Sequence, residues 1–113
     1  MSYLTGDLRD QLALVGDDVV RAGLVVGSGG NLSARMPGDD ACWVTTSGAW
    51  LDRLARPSFA RVRIADGAVL PQTPGGGSGA RPTSELALHL ATYRARPDVT
   101  AVVQDVLSRS LKG

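Results

Sequence analysis

The sequence contains very little of three residue types that commonly carry chemistry. Among 113 residues it has one cysteine, Cys42, one histidine, His89, and one glutamate, Glu85. A single cysteine forms no internal disulfide, so nothing in the sequence argues for an oxidising compartment. Because Cys42 lies between Ala41 and Trp43, we expect it to be a buried, small apolar side chain.

Long apolar runs and runs of like charge are also missing. The longest apolar stretches, 22–26 and 99–103, are far shorter than the roughly 20 residues of a membrane helix, and the N-terminus has no apolar signal core. Twelve Lys and Arg against eleven Asp and Glu give a net charge of +1, without the basic patch that binds a nucleic-acid backbone. The sequence therefore predicts a cytoplasmic protein that binds no nucleic acid and no membrane.

What is present fits one small globular domain. Apolar residues make up 43% of the chain and charged residues 20%. An amphipathic helix is predicted within 5–22, with Thr5 as its cap and Gly23 at its end. Its apolar face is formed by residues spaced by four and three: Leu8, Leu12, Val15, Val19 and Ala22. A second helix is predicted to begin near residue 83 or 84 and to stop before Pro97.

Five short segments predict strands. Asp66 and Gly67 are a turn signal that predicts a hairpin between the third and the fourth of them. The predicted strands are 32–36, 42–46, 61–64, 68–70 and a buried strand at 99–103, and 72–80 is predicted to be a flexible loop. Helices beside strands that are joined mostly by hairpins indicate an α/β sandwich with a mixed or largely antiparallel sheet.

Three segments combine glycine or hydroxyl residues, and each has two interpretations. The glycine loop at 27–31 is either a plain turn or a concave set of backbone N–H groups that holds an anion. Residues 45–48 follow a predicted strand and are either turn formers or functional loop residues. Residues 83–85 at a helix start are either ordinary caps or a phosphate site at the positive end of the helix dipole.

Glu85 and His89 lie four residues apart, so they share one helix face and could form part of a metal site. Two ligands do not complete a zinc site, and Leu86, Leu90 and Tyr93 lie on the same face. A packed, hydrogen-bonded core histidine is therefore the favoured interpretation. A Ser-His-acid triad would also need His89, but no serine lies in a nucleophile-elbow sequence, so we discard it.

Three motifs in order carry a resemblance to a known family. They are GLVVGSGGNLSAR from Gly23, VTTSGAWLDRL from Val44 and RPTSELALHLATYRARPDVTAVV from Arg81. Over about residues 5–103 the chain resembles the class II aldolase/adducin family, which includes fuculose-phosphate aldolase and ribulose-phosphate 4-epimerase. The resemblance implies a three-layer α/β/α sandwich with a mixed, largely antiparallel sheet, and a homo-oligomer that is usually a tetramer.

The resemblance also implies a site and its chemistry. The family cleaves or epimerises sugar phosphates with zinc or another divalent metal, which polarises the substrate carbonyl while a glutamate moves a proton. Glu85 matches that glutamate, His89 matches a helix histidine that is not usually a ligand, and a small phosphorylated sugar or related anion is the implied partner. The positions that match the phosphate-binding elements are Ser28, Gly29, Gly30, Asn31, Ser47, Gly48, Thr83 and Ser84.

The match to the family pattern stops at Val103. The family continues there with His-x-His, which supplies two zinc ligands, but this chain has Gln104 and Val106. Valine binds no metal, and glutamine is a poor zinc ligand beside imidazole. We therefore expect residues 1–103 to be the N-terminal portion of an aldolase-like fold that is incomplete at the C-terminus, 104–113 to be a non-matching tail, and no metal to bind. A frameshift or a gene remnant is one hypothesis for the change.

Two functions from different classes follow from these observations. The first is an aldolase-type protein that is inactive alone, because the metal ligands are missing. The alternative is a non-catalytic module, as in the adducin branch of the family, that keeps the fold for oligomerisation or anion binding. The sequence does not distinguish aldolase, epimerase and decarboxylase chemistry.

Overall fold

The N-terminal apolar pattern forms a helix, as predicted, but its start differs from the prediction. The computed structural model describes residues 7–25, 29–71 and 81–105. Helix α1 spans Leu8–Arg21 and is capped by Asp7, whose carboxylate accepts the backbone N–H of Arg9 at 2.9 Å. The predicted cap, Thr5, lies outside the described residues. Gly23 has a φ of 74° and ends the helix, as predicted, because a left-handed conformation costs glycine little.

The buried face of α1 also differs in part from the predicted one. Leu12 is buried as expected, but Val15 is 40% exposed and Gly16 is buried in its place. A Cβ atom at Gly16 would lie 2.3 Å from the backbone oxygen of Leu51, so the helix packs at a distance that only glycine allows. The spacing of large apolar residues could not reveal this contact, because glycine carries no hydrophobic signal.

The strands form one five-stranded sheet in which every neighbouring pair is antiparallel. The strands are β1 (Gly30–Ala34), β2 (Ala41–Thr45), β3 (Phe59–Arg63), β4 (Val69–Leu70) and β5 (Ala101–Asp105). Their order across the sheet is β4-β3-β2-β1-β5. Strand β1 begins two residues earlier than predicted, so Asn31 belongs to the strand rather than to the glycine loop.

Helix α2 (Leu86–Ala95) packs on the opposite face of the sheet from α1, which confirms the three-layer α/β/α architecture. Its predicted face is confirmed, since His89, Leu90 and Tyr93 are buried and Leu86 packs against the same cluster. The core under α2 contains Cys42, Val44, Ala60, Val62, Ile64, Leu90 and Tyr93, and the core under α1 contains Leu12, Val25, Leu32, Ala34, Leu51 and Phe59. Burial of Cys42 is as predicted and raises the pKa of its thiol to about 11.

Strand β5 is not the buried strand that the sequence predicts. It is the last strand in the sheet and pairs with β1, and Val103 on it is 51% exposed. The apolar cluster under α1 reaches Leu32 on β1 but does not include Val103, its partner on β5. An apolar run is buried on both faces only when both faces are covered, and here one face of the edge strand is open.

Two further predictions concern turns and loops. The turn at Asp66 and Gly67 is confirmed, with Gly67 at a φ of 75° and its N–H donated to the backbone oxygen of Arg63 at 2.8 Å. The predicted flexible loop at 72–80 lies outside the described residues. Across the described ranges, neither helix is long and apolar enough to cross a membrane.

Candidate functional site

Three distant segments meet at one edge of the sheet. Because β1 and β2 run antiparallel, the start of β1 and the end of β2 lie side by side. The segment that leads into α2 extends this edge: the N–H of Ser47 donates to the backbone oxygen of Arg81 at 2.9 Å, and the N–H of Thr83 donates to that of Thr45 at 2.9 Å. The described end of the glycine loop at 29–31, the hydroxyl loop and the segment before α2, which were predicted separately, are therefore neighbours.

A pocket of about 210 Å³ lies between these segments. Its lining residues are Gly30, Asn31, Thr46, Ser47, Gly48, Ala49, Thr83, Ser84 and Glu85. Of the predicted site residues, Gly29 precedes the lining without belonging to it, and Ser28 lies outside the described residues. Thr46 and Ala49 line the pocket without having been assigned to the site, although Thr46 belongs to the hydroxyl cluster that the sequence singles out.

The loop after β2 depends on one glycine. Gly48 has a φ of 79°, and the N–H of Ala49 donates to the backbone oxygen of Thr46 at 3.2 Å, which closes the turn. At the other side of the pocket, Thr83 Oγ1 accepts the N–H of Glu85 at 3.3 Å. The first segment therefore forms a turn. Thr83 forms a side-chain turn just before α2, whose cap position, Glu85, has no side-chain cap hydrogen bond. Neither contact tests the anion-binding interpretation of these segments. Ser84, in contrast, is exposed, so its hydroxyl lies open to solvent at the pocket.

Behind the pocket lies a chain of four buried polar side chains. Asn31 Oδ1 is hydrogen-bonded to His89 Nε2, Ser33 Oγ lies 2.6 Å from His89 Nδ1, and Tyr93 Oη lies 2.7 Å from Ser33 Oγ. Burial lowers the pKa of His89 to about 4, against a smaller raising effect of Glu85. The imidazole is therefore neutral near pH 7, and the prediction of a packed, hydrogen-bonded histidine is confirmed.

Glu85 is in contact with the strand that forms the edge of the sheet. Gln104 on β5 donates from Nε2 to Glu85 Oε1 at 2.8 Å, while Gln104 Oε1 is buried without a hydrogen-bond partner among the described residues. No local pattern signals this contact, because the two residues are 19 positions apart. An amide donor thus faces the one glutamate of the chain.

The described side chains that line the pocket carry no positive charge, and Glu85 adds an acidic group. The N–H groups of Thr46, Ser47, Ala49, Thr83 and Glu85 already donate to acceptors within the protein. The hydroxyl groups and the Asn31 amide are therefore the main donors that the pocket offers to a ligand. This geometry defines a class of protein. It is a three-layer α/β/α domain in which neutral hydrogen-bond donors gather at strand ends and at a helix start.

The family model described as "Class II Aldolase and Adducin N-terminal domain" matches residues 10–103. The chain belongs to this family, as the sequence motifs predict.

Similar proteins carry out several reactions. The 3-oxo-tetronate 4-phosphate decarboxylase of Escherichia coli strain K12 is 34% identical over 96 residues, which cover 85% of this chain and 41% of that protein. The methylthioribulose-1-phosphate dehydratase of Leptospira borgpetersenii is 30% identical over 91 residues, with coverage of 80% and 36%. A solved L-fuculose 1-phosphate aldolase matches with a TM-score of 0.73 at 26% identity and covers 88% of this chain and 43% of its own. The chain thus spans about two fifths of the length of these relatives.

The described residues do not fit the divalent metal on which this family generally depends. No group of three or more His, Cys, Asp or Glu side chains converges within 7–25, 29–71 and 81–105. At the position where the family pattern has its first ligand, Gln104 turns its amide nitrogen, which is a donor, toward Glu85. That nitrogen is a donor and cannot coordinate a cation, and the remaining amide oxygen of Gln104 is a poor zinc ligand beside imidazole. We therefore derive no chemical step through a metal in these residues.

Proposed function

We propose that this chain binds the phosphate group of a small phosphorylated sugar in the pocket between β1, the loop after β2 and the start of α2. The observation that carries the proposal is the convergence of three separate segments on one small pocket, which is lined by hydroxyl and amide donors beside Glu85. Phosphate ester oxygens accept hydrogen bonds from backbone N–H and hydroxyl groups, and they need no cationic partner when several donors converge.

The family supports a sugar phosphate as the ligand class. Both curated relatives and the solved aldolase described above carry a phosphate in the substrate of their names, although their reactions differ. A phosphate pocket that these proteins share, with the reacting groups in other parts of the site, accounts for a common phosphate in their substrates and for their different reactions. We assign the phosphate to Gly30, Asn31, Ser47, Gly48, Thr83 and Ser84, and include Ser28 and Gly29 because they lead directly into β1.

We assign Glu85 as the proton-transferring group. Its carboxylate would repel an anion placed directly on it, so the phosphate belongs with the hydroxyl and amide donors, and the carboxylate faces the remainder of the sugar. A carboxylate in that position can take a proton from a carbon beside the substrate carbonyl and return it. Gln104 Nε2 donates to Glu85 Oε1 at 2.8 Å and so holds this side chain in place.

We further propose that this chain alone does not catalyse the reaction, because Gln104 occupies the position where the family pattern has a metal ligand. The same observation favours the second candidate, a non-catalytic anion-binding module of the adducin type. The test is to incubate the chain with zinc and a sugar 1-phosphate and to assay for release of an aldehyde product. Zinc-dependent release that Glu85→Gln abolishes would contradict this part of the proposal.

Inorganic phosphate tests the binding proposal without requiring catalysis. A ligand that binds only the folded state at a hundredfold excess over its Kd adds about 2.7 kcal/mol to the free energy of unfolding. We expect phosphate to raise the melting temperature over chloride of equal ionic strength, and Ser84→Ala to lose this increase because it removes an exposed donor at the pocket. Thr92→Ala is the matched control, since Thr92 is half-buried on α2, does not line the pocket, and donates from its hydroxyl to the backbone oxygen of Leu88.

Equal phosphate effects in wild type and Ser84→Ala would remove Ser84 from the site. The absence of any phosphate effect in the wild type would refute the binding proposal. The cytoplasmic location predicted from the sequence and the homo-oligomer implied by the resemblance stay predictions, as does the division of the chain at residue 103.

A further inference from the structure

Asn31 is the point where the pocket and the buried polar chain meet. It lines the pocket, yet it is only 4% exposed, and its side-chain oxygen is engaged by His89. A side-chain amide has an acceptor oxygen and a donor NH₂ group on opposite sides. Whichever side faces His89, the other is available to a ligand, so the orientation of this amide decides whether the pocket gains a donor or an acceptor.

The hydrogen-bond chain fixes that orientation from its far end. Within the described residues, Ser33 is the hydrogen-bond partner of the Tyr93 hydroxyl, and Tyr93 is 1% exposed. A buried phenol that donates to nothing is costly, so Tyr93 donates to Ser33 Oγ. The Ser33 hydroxyl then gives its own hydrogen to His89 Nδ1.

The direction continues through the imidazole ring. A neutral imidazole carries one hydrogen, and if Nδ1 accepts from Ser33, the hydrogen is on Nε2. Nε2 therefore donates to Asn31 Oδ1. The reverse direction would place the hydrogen on Nδ1 and turn the Asn31 NH₂ toward the ring, but it would leave the Tyr93 hydroxyl hydrogen without an acceptor among the described residues.

We infer that His89, together with Ser33 and Tyr93, is a positioning device that holds the Asn31 amide with its NH₂ group toward the pocket. His89 is a positioning residue rather than a catalytic one, because it acts on the ligand only through Asn31. This inference rests on the proposed function for the identity of the ligand, an anion that accepts a hydrogen bond. It also gives a reason why a neutral histidine lies next to the proposed anion pocket. The hydrogen bond from the ring determines which end of the Asn31 amide, donor or acceptor, faces the ligand.

The tautomer of His89 is a direct test, and the chain suits it because His89 is the one histidine present. In a long-range proton–nitrogen NMR spectrum of the full chain without phosphate, we expect the Nε2–H tautomer. Tyr93→Phe removes the terminal donor that sets the direction, so it should increase the share of the Nδ1–H tautomer. A wild-type spectrum with the Nδ1–H tautomer would overturn the inference, whether or not phosphate binds.

Phosphate titrations test the consequence for the ligand. His89→Leu removes the hydrogen bond that holds Asn31 and is expected to weaken inorganic phosphate binding about 3- to 10-fold, the range expected for one hydrogen bond. His89→Gln retains a donor for Asn31 Oδ1 and is expected to stay within about 2-fold of the wild type, because that same hydrogen bond is kept. Thr92→Ala, on the same helix, is the control for unspecific effects.

The outcomes separate the two proposals. If the wild type binds phosphate and folded His89→Leu binds it equally well, the positioning role is wrong while the proposed function stands. If the wild type binds no phosphate, the proposed function fails, and the orienting role toward an anion fails with it. If His89→Leu does not fold, two other measurements decide the inference: the wild-type tautomer and the phosphate titration of Tyr93→Phe. We expect Tyr93→Phe to bind phosphate about 2-fold more weakly than the wild type, because it partly reverses the direction of the hydrogen-bond chain.

Discussion

The two faces of the sheet bury different chemistry. The face under α1 is closed by apolar side chains such as Leu32 and Phe59, whereas the face under α2 also buries the polar chain from Asn31 to Tyr93. Strand β1 serves both, since Leu32 packs under α1 while Ser33, the next residue, contacts α2. Because successive side chains of a strand point to opposite faces, one five-residue strand contributes both a core and a network.

The difference shows where stability and function depend on each other. An apolar face is stabilised mainly by burial. A buried polar chain is tolerated only if every member is paired, and each pair also sets the orientation of the next group. We therefore expect the α2 face to lose stability as the pH falls through the interval in which His89 titrates, and to respond to the loss of single side-chain hydrogen bonds. The described core under α1 is apolar and contains no group that titrates in that interval.

The largest effect is expected on acidification of the α2 face. The pKa of His89 is 6.5 in the unfolded chain and is lowered by burial to about 4 in the folded one. Between these values the unfolded state takes up a proton that the folded state does not, so stability falls as the pH decreases. The contribution is fully present above pH 6.5 and is lost by about pH 4, and it amounts to roughly 3 kcal/mol.

Urea unfolding of the wild type and of His89→Gln at several pH values between 7 and 4 measures this contribution. Glutamine does not titrate, so the stability of the variant should fall less steeply over that interval. Parallel curves for the two proteins would mean that His89 is protonated as easily in the folded state as in the unfolded one. The α2 face would then not differ from the α1 face in its response to acid.

Local patterns predict the elements of the fold well and their environment less well. Both helices, the turn at Gly67 and the buried face of α2 follow from spacing and turn residues, and the resemblance predicts the three layers. The exposure of Val103 could not be predicted, because it depends on how far α1 extends across the sheet. The place of Gly16 in the buried face of α1 was missed because a contact made by the absence of a side chain leaves no apolar signal.

The candidate site shows the same division. The segments that line the pocket were predicted from their glycine and hydroxyl residues, and they come together as neighbours. The contacts of His89 with Asn31 and Ser33 span more than fifty positions, and no local pattern encodes which residue a histidine will meet. The pairing of Glu85 with Gln104 was equally invisible, because it needs the position of β5 in the sheet.

The smallest effect is expected at the cap of α1, far from the polar chain. Asp7 caps the helix and is held by Arg9, whose hydrogen bonds lower the pKa of the carboxyl group to about 2. Asp7→Ala should reduce the free energy of unfolding by about 1 kcal/mol, the usual value of an N-terminal cap. Asp17→Ala removes only the exposed ion pair with Arg21 and should cost a few tenths of a kcal/mol. Both variants should keep the phosphate-induced rise in melting temperature, and losing it in Asp7→Ala alone would mean that the two faces of the sheet are coupled.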